Sequence, residues 1–255
     1  MRLAEIGIVI PAAGQGKRMG AGYNKQFLSL RGQPILAHTV KLFEESSYVS
    51  EIVIVGAESD LLLIKELVNH HKFLKVVAII QGGAQRQDSV RTGVQALSST
   101  IQRVVVHDGA RPLLTLQAFH RFLEETEEFS AAIMGIQLKD TVKRVDISGK
   151  VLETPPREGL RAVQTPQIFD RGILEEAHHK ASALGYYGTD DAALLEWMGY
   201  PVQMVEGSQE NIKVTTPDDL WLAERILAMR ERLESDTGFG EDRGTVLLSN
   251  PRSQD

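Results

Sequence analysis

Short runs of β-branched and apolar residues recur along this chain, separated by stretches with helical spacing, and that alternation admits few arrangements other than repeated βαβ units. The runs lie at Ile6 to Ile10, Glu51 to Val55, Lys75 to Ile80, Arg103 to His107, Ala131 to Ile136 and Pro201 to Val205. IGIVI, EIVIV and RVVVH are apolar at successive positions, as strands covered by helices on both faces require. Helix starts are marked by Pro34 before ILAHTVKLFEES, Ser59 before DLLLIKELV, Thr115 before LQAFHRFLEE, and Thr216 with Pro217 before a long amphipathic run. Each is an N-cap or N1 signal. The expectation is an α/β fold: one Rossmann-like domain over residues 1–234, with a mostly parallel sheet covered by helices. Parallel strands open their ligand crevice at their carboxyl ends, so chemistry is expected just after each strand.

Two segments break the rhythm. Residues 137–164, containing KDTVKRVDISGKVLETPPREGLRAVQ, alternate polar and β-branched positions about Ser148-Gly149. They read as a protruding β-hairpin arm with too few apolar residues to bury itself, so a partner chain is expected to cover it; a mobile surface hairpin is the alternative. Residues 235–255 lose periodicity and are read as a flexible tail.

Composition narrows the function classes. The 255 residues carry 28 basic and 34 acidic side chains, a net charge of −6, which has the wrong sign for general nucleic-acid binding. There is no cysteine, which excludes thiol catalysis, thiolate metal sites and a disulfide framework. No apolar run approaches the roughly 18 residues of a membrane span, and the start lacks a secretory h-region, so the reading is a cytoplasmic protein without membrane contact.

Charge is unevenly placed. No Asp or Glu lies between Glu5 and Glu44, whereas Lys17, Arg18, Lys25, Arg31 and Lys41 supply five positive charges, leaving −11 on the rest of the chain. This island directly follows the first strand, where Ala12, Ala13, Gly14 and Gly16 allow close backbone approach to a ligand. A polyanion is the expected occupant. The spacing fits neither a Walker A loop, which needs GxxxxGK and a hydroxyl, nor a dinucleotide fingerprint, because Gly14-Gln15-Gly16-Lys17-Arg18-Met19-Gly20 is GxGxxxG. A glycine-rich turn before a solvated basic helix stays open as the plain structural reading.

PAAGQGKRM, NKQF, GGAQRQDSV from Gly82, VHDGARP from Val106, KDTVKR from Lys139, QTPQ from Gln164, GTDDA from Gly188 and EGSQENIKVTTPDDL from Glu206 follow one another in order. Together they resemble the cytidylyltransferases that activate sugar and polyol phosphates, and among these the family acting on 2-C-methyl-D-erythritol 4-phosphate, over residues 5 to 232. The resemblance implies transfer of CMP from CTP to that phosphate, with release of pyrophosphate, in isoprenoid precursor synthesis. It assigns Arg18, Lys25 and Lys213 to catalysis. Ala12, Ala13, Gly14, Gly16, Gly83, Ala84, Ser89 and Asp108 would hold the nucleotide, Asp108 also carrying Mg²⁺. Arg111, Thr141, Arg157, Thr165, Thr189 and Lys213 would hold the polyol phosphate, Thr141 and Arg157 reaching across a homodimer from the arm. CTP is the implied co-substrate.

Departures and alternatives accompany this assignment. The family has an acidic residue where this chain has Ala84, and it lacks the Pro155-Pro156 pair before Arg157. Ser89 reads equally as the N-cap of DSVRTGVQAL, Asp108 as a turn-forming Asp-Gly, and Thr165 as part of an X-Thr-Pro turn. Asp190 and Asp191 read as substrate contacts or as first-turn acids of DAALLEW, the helix reading being preferred. His107 is read as structural. A ribitol 5-phosphate enzyme of the same fold is the nearest rival. A nicotinamide-dependent oxidoreductase, with Glu58 ending the second strand, and a non-catalytic nucleotide sensor represent other classes.

Overall fold

The computed structural model describes residues 6–14 and 24–237. Among the described residues, eleven strands alternate with seven helices: β1 (Ile6–Ala12), β2 (Ser29–Leu30), β3 (Gln33–Pro34), α1 (Ile35–Glu45), β4 (Val49–Gly56), α2 (Leu61–His71), β5 (Val76–Gln81), α3 (Arg86–Gln95), β6 (Arg103–Val106), α4 (Leu116–Glu125), β7 (Ala131–Gln137), β8 (Arg144–Val145), β9 (Val151–Glu153), β10 (Arg161–Asp170), α5 (Arg171–Leu184), α6 (Ala192–Trp197), β11 (Gln203–Glu206) and α7 (Pro217–Thr237). Seven strands form the main sheet in the order β11-β7-β10-β6-β1-β4-β5. β1 pairs in parallel with β4 and β6, β4 with β5, and β11 with β7, while β10 runs antiparallel between β6 and β7.

β1 throughout, β4 from Ile52 and β6 from Val104 carry no polar side chain, because both faces are covered. Ile6, Ile8 and Ile10 of β1 face one layer with Phe43 of α1 and Phe119 and Phe122 of α4. Val9 faces the other with Val90 and Val94 of α3, Leu174 of α5 and Leu194 of α6. Alternation of successive side chains across a strand produces this split. A third cluster joins Leu30, Ile35, Leu113, Val214 and Ala223, and seats α7 against the β2–β3 hairpin.

Capping follows the sequence signals closely at two helices. The Thr115 hydroxyl accepts from the Ala118 amide at the start of α4, and Thr216 accepts from the Asp219 amide at the start of α7. Asp219 returns the bond, its Oδ2 accepting from the amides of Thr215 and Thr216 at 2.8 Å each. Among the described residues no helix is long and apolar enough to cross a membrane.

Three sequence expectations change. The arm is shorter than 137–164, because residues from Arg161 onward form β10, a strand in the middle of the sheet; the ribbon itself is the β8–β9 hairpin. Alternating polar and apolar residues could not distinguish a ribbon from a sheet strand whose first half pairs on one side only. Ser59 does not cap α2, which starts two residues later after a 3-10 turn at Glu58–Asp60. The final helix runs on to Thr237, past the expected boundary at 235. The rest of the tail, like Gly16, Lys17 and Arg18, lies outside the described residues.

Candidate active site

Because six of the seven strands run the same way, their carboxyl ends gather at one edge. Ala13 and Gly14 follow β1, Ala57 and Glu58 follow β4, the loop of residues 82–85 follows β5, and Asp108 lies two residues past β6. These segments, with Lys25, Gln26, Arg86, Ser89 and Lys213, line a cleft of about 590 Å³.

Lys25 opens a short 3-10 turn, Lys25–Phe27, capped by the Asn24 side chain accepting from the Gln26 amide. Although a lysine, it is only 9% exposed, and its Nζ donates to the Val214 carbonyl at 3.0 Å. Lys213, the residue before Val214, extends its Nζ to within 2.8 Å of Asp108 Oδ2. The turn that carries both residues is fixed by the Val214 amide donating to the Ala110 carbonyl at 2.8 Å. Two lysines distant in sequence thus meet on one wall.

Asp108 is the electrostatic centre of the cleft. Arg86 Nε lies 3.2 Å from its Oδ1, and Arg111 Nε lies 3.7 Å from its Oδ2. Burial pushes the carboxyl pKa up, but Arg86, Lys213 and Arg111 outweigh it and hold Asp108 ionised far below the usual carboxylate range. The Asp108 amide donates to the Thr165 hydroxyl at 3.0 Å, and that hydroxyl lies 3.2 Å from His107 Nδ1. His107 Nε2 is 3.1 Å from the Arg111 carbonyl, which can only accept, so the proton sits on Nε2 and Thr165 donates to Nδ1. Burial lowers the His107 pKa to about 4, which keeps this chain neutral.

Predicted site residues divide into groups. Ala13, Gly14, Lys25, Gly83, Ala84, Ser89, Asp108 and Lys213 all line the cleft. Ala12 is buried at the end of β1, its carbonyl accepting from Asn24 Nδ2 at 3.3 Å. Ser89 is not an N-cap: α3 starts at Arg86, three residues before Ser89. The Ser89 hydroxyl instead accepts from the Gly83 amide and donates to the Gln85 carbonyl, both at 3.2 Å. A Cβ on Gly82 would meet Ser89 Oγ at 2.6 Å, so glycine is required for that closeness. Thr165 is buried behind the cleft lining, its hydroxyl accepting from the Asp108 amide and donating to His107. Arg111 donates from Nη1 to the Asn211 carbonyl at 2.7 Å, beside the cleft lining instead of within it. Thr141 and Arg157 are exposed near the hairpin, Arg157 donating to the Lys139 carbonyl, and Thr189 is exposed on the loop before α6. The structure does not bring these three into the cleft of one chain.

Arg86 and Gln87, inside GGAQRQDSV, have no role in the sequence reading. Arg86 bridges Asp108 and Asp191, Nη1 lying 2.7 Å from Asp191 Oδ2. Asp191 is therefore a buried ion-pair partner, 1% exposed, and neither a substrate contact nor a simple first-turn acid. Asp190 does serve the helix, its Oδ1 accepting from the Ala193 amide at 3.0 Å. Only the pairing of α3 with the loop before α6 could have exposed the Arg86–Asp191 contact, 105 residues apart.

Comparison with known proteins decides the family. The family model described as 2-C-methyl-D-erythritol 4-phosphate cytidylyltransferase matches residues 6–229. The chain belongs to the 2-C-methyl-D-erythritol 4-phosphate cytidylyltransferase family. A relative of that name from Halalkalibacterium halodurans is 50% identical over 228 residues, 89% of this chain and 99% of its own. One from Alkaliphilus oremlandii is 42% identical over 229 residues, 89% of this chain and 97% of its own. Among solved structures, the 4-diphosphocytidyl-2C-methyl-D-erythritol synthase of Anaerococcus prevotii superposes with a TM-score of 0.78 at 29% identity, covering 88% of this chain and 98% of that one. The 2-C-methyl-D-erythritol 4-phosphate cytidylyltransferase of Thermus thermophilus gives 0.71 at 32% identity, covering 86% and 98%. Family membership accounts for the mixed seven-stranded sheet and removes the oxidoreductase and sensor alternatives.

Proposed function

We propose that the cleft at the sheet's carboxyl edge carries out this chain's transfer of CMP from CTP to 2-C-methyl-D-erythritol 4-phosphate, by direct attack of the substrate phosphate. A phosphate oxygen of the polyol phosphate forms a bond to the α-phosphorus of CTP. The bond from that phosphorus to its bridging oxygen breaks, and pyrophosphate leaves with the electron pair. The nucleophile is a phosphate monoester whose second pKa is about 6, so it needs no general base near neutral pH. Alignment of two polyanions and stabilisation of charge at the transferring group then supply the acceleration.

The observation that carries this reading is the meeting of Lys25 and Lys213 on one wall beside Asp108. Lys25 places a compact charge at the α-phosphate, Lys213 spans to the incoming phosphate, and Arg18 forks across the triphosphate. The amides around Ala12, Ala13, Gly14 and Gly16 receive phosphate oxygens. Backbone groups of Gly83 and Ala84 read the cytosine edge, so loss of an acidic side chain at position 84 is mild, and Ser89 keeps that loop stiff. Arg111 and Thr189 hold the polyol phosphate. Thr141 and Arg157 complete the site from the second subunit of a homodimer, which explains exposed Val145, Ile147, Val151 and Leu152 on the ribbon.

Asp108 suits Mg²⁺ of the kind that keeps most of its ligands as phosphate oxygens and water. Among the described residues no cluster of three or more His, Asp or Glu side chains exists to cage a cation alone. When bound, the ion neutralises triphosphate charge. The test is pyrophosphate release from CTP with a panel of polyol phosphates, each with and without Mg²⁺. Release specific to the methylerythritol phosphate and dependent on the ion supports the reading; equal rates with ribitol 5-phosphate, or none with either, overturns it.

A further inference from the structure

The segment of residues 186–191, leading into α6, is pinned on both sides of Thr189. Gln87 Oε1 accepts from the Gly188 amide, and its Nε2 donates to the Tyr186 carbonyl, each at 3.0 Å. On the other side, Asp190 Oδ2 accepts from Gln167 Nε2 at 2.7 Å, and Asp191 is held by Arg86. The backbone closes tightly here, since a Cβ on Gly188 would lie 3.0 Å from both the Asp190 carbonyl oxygen and Leu194 Cδ2. Thr189, between these anchors, is exposed, and its hydroxyl makes no hydrogen bond to any described residue. Four neighbours are fixed so that one hydroxyl stands outward.

We propose that Gln87 is a positioning residue for the polyol phosphate: by bonding Tyr186 and Gly188 it sets where Thr189 stands. The inference rests on the reading above that Thr189 contacts that substrate. Gln87 suits the task because a primary amide carries a donor and an acceptor on one planar end. Glutamate lacks the donor, methionine lacks both, and asparagine is one methylene shorter. At 9% exposure the two bonds are shielded from water, so an unmatched replacement leaves the Tyr186 carbonyl without a partner. Gln87 also stands in the first turn of α3, directly after the loop of residues 82–85. The helix that follows the nucleotide loop thereby also fixes the acceptor loop.

Steady-state kinetics on Gln87→Met, Gln87→Glu, Thr189→Val and the double variant Gln87→Met/Thr189→Val separate the outcomes, with thermal unfolding alongside. Gln87→Glu keeps size and the acceptor for Gly188, so it remains informative if Gln87→Met fails to fold. Both Gln87 variants are expected to raise the KM for the polyol phosphate about tenfold while leaving the KM for CTP within about twofold. Thr189→Val is expected to do the same, and Gln87→Met is expected to add little to it, because the two act as one unit. If Thr189→Val raises that KM and the Gln87 variants do not, the positioning role alone falls. If Thr189→Val changes nothing, the substrate role of Thr189 falls and takes the inference with it. Equal rises in both KM values mark a general structural effect and overturn the inference.

Discussion

Arg86 and Asp191 form a 2.7 Å ion pair across two elements far apart in sequence, and the same guanidinium reaches Asp108 in the cleft. Burial works against the Arg86 charge, yet Asp191 and Asp108 more than offset it and raise its pKa. His178 Nε2 lies 3.4 Å from the other Asp191 oxygen, so the buried carboxylate has basic groups on both sides. Asp191 thereby connects the α5–α6 layer to the residue at the centre of the site.

Asp191→Asn is expected to cost about 2–3 kcal/mol of stability, because Arg86 loses a buried counter-charge. Urea unfolding measures this. A midpoint within experimental error of the parent would show that the pair contributes no net stability.

Lys25→Met keeps the aliphatic stem that fills this buried position while removing the charge. Folding and CTP affinity are expected to persist, and kcat to fall on the order of 10²–10³-fold, as for loss of one preorganised charge that acts on the transition state. Single-turnover rates and CTP binding by calorimetry make the comparison. An unaltered kcat would remove Lys25 from the mechanism.

Mixed subunits test the proposed sharing of the site between two chains. Arg157→Ala and Lys25→Met chains are each expected to be nearly inactive alone, and heterodimers of the two to regain activity, since one of their two sites then holds both native residues. Verified heterodimers without activity would rule out contribution of Arg157 across the interface.

His107 makes stability depend on pH. Unfolded, the imidazole takes a proton near 6.5; folded, burial defers this to about 4. The unfolded chain binds the extra proton between those values, so stability is full above pH 6.5 and falls toward pH 4, by up to ~3 kcal/mol. Asp108, held ionised to lower pH, does not lose its contribution in that window. Unfolding free energies at pH 7.5 and 4.5, for the parent and for His107→Gln, are expected to show a smaller drop in the variant; equal drops would assign the dependence to other groups.

Legibility followed the range of the interactions. The strands after which Gly14, Gly83 and Asp108 lie were visible because each is a near-continuous apolar run. The caps of Thr115 and Thr216 were visible because capping acts within four residues. β10 was hidden: its first residues, Arg161 to Gln164, alternate between polar and apolar in no clean pattern, and its place between β6 and β7 is set by pairing partners. Ser89 was ambiguous since a hydroxyl near a helix start suits a cap as well as the loop contact it makes with Gly83. Arg86 and Gln87 lie inside GGAQRQDSV, yet Asp191, Tyr186 and Gly188, which they bond, are about a hundred residues away.

By itself, the amino-acid sequence determined the alternation of elements, the anion-seeking island after β1 and the family motifs, because periodicity, local charge and turn chemistry act between residues near in the chain. Only the tertiary structure decided that Lys25 and Lys213 share a wall, that Thr165 supports Asp108 from behind, and that α3 grips both loops beside the cleft. Those contacts arise when distant segments are packed against one sheet edge, where burial makes each polar group find a partner regardless of its sequence distance.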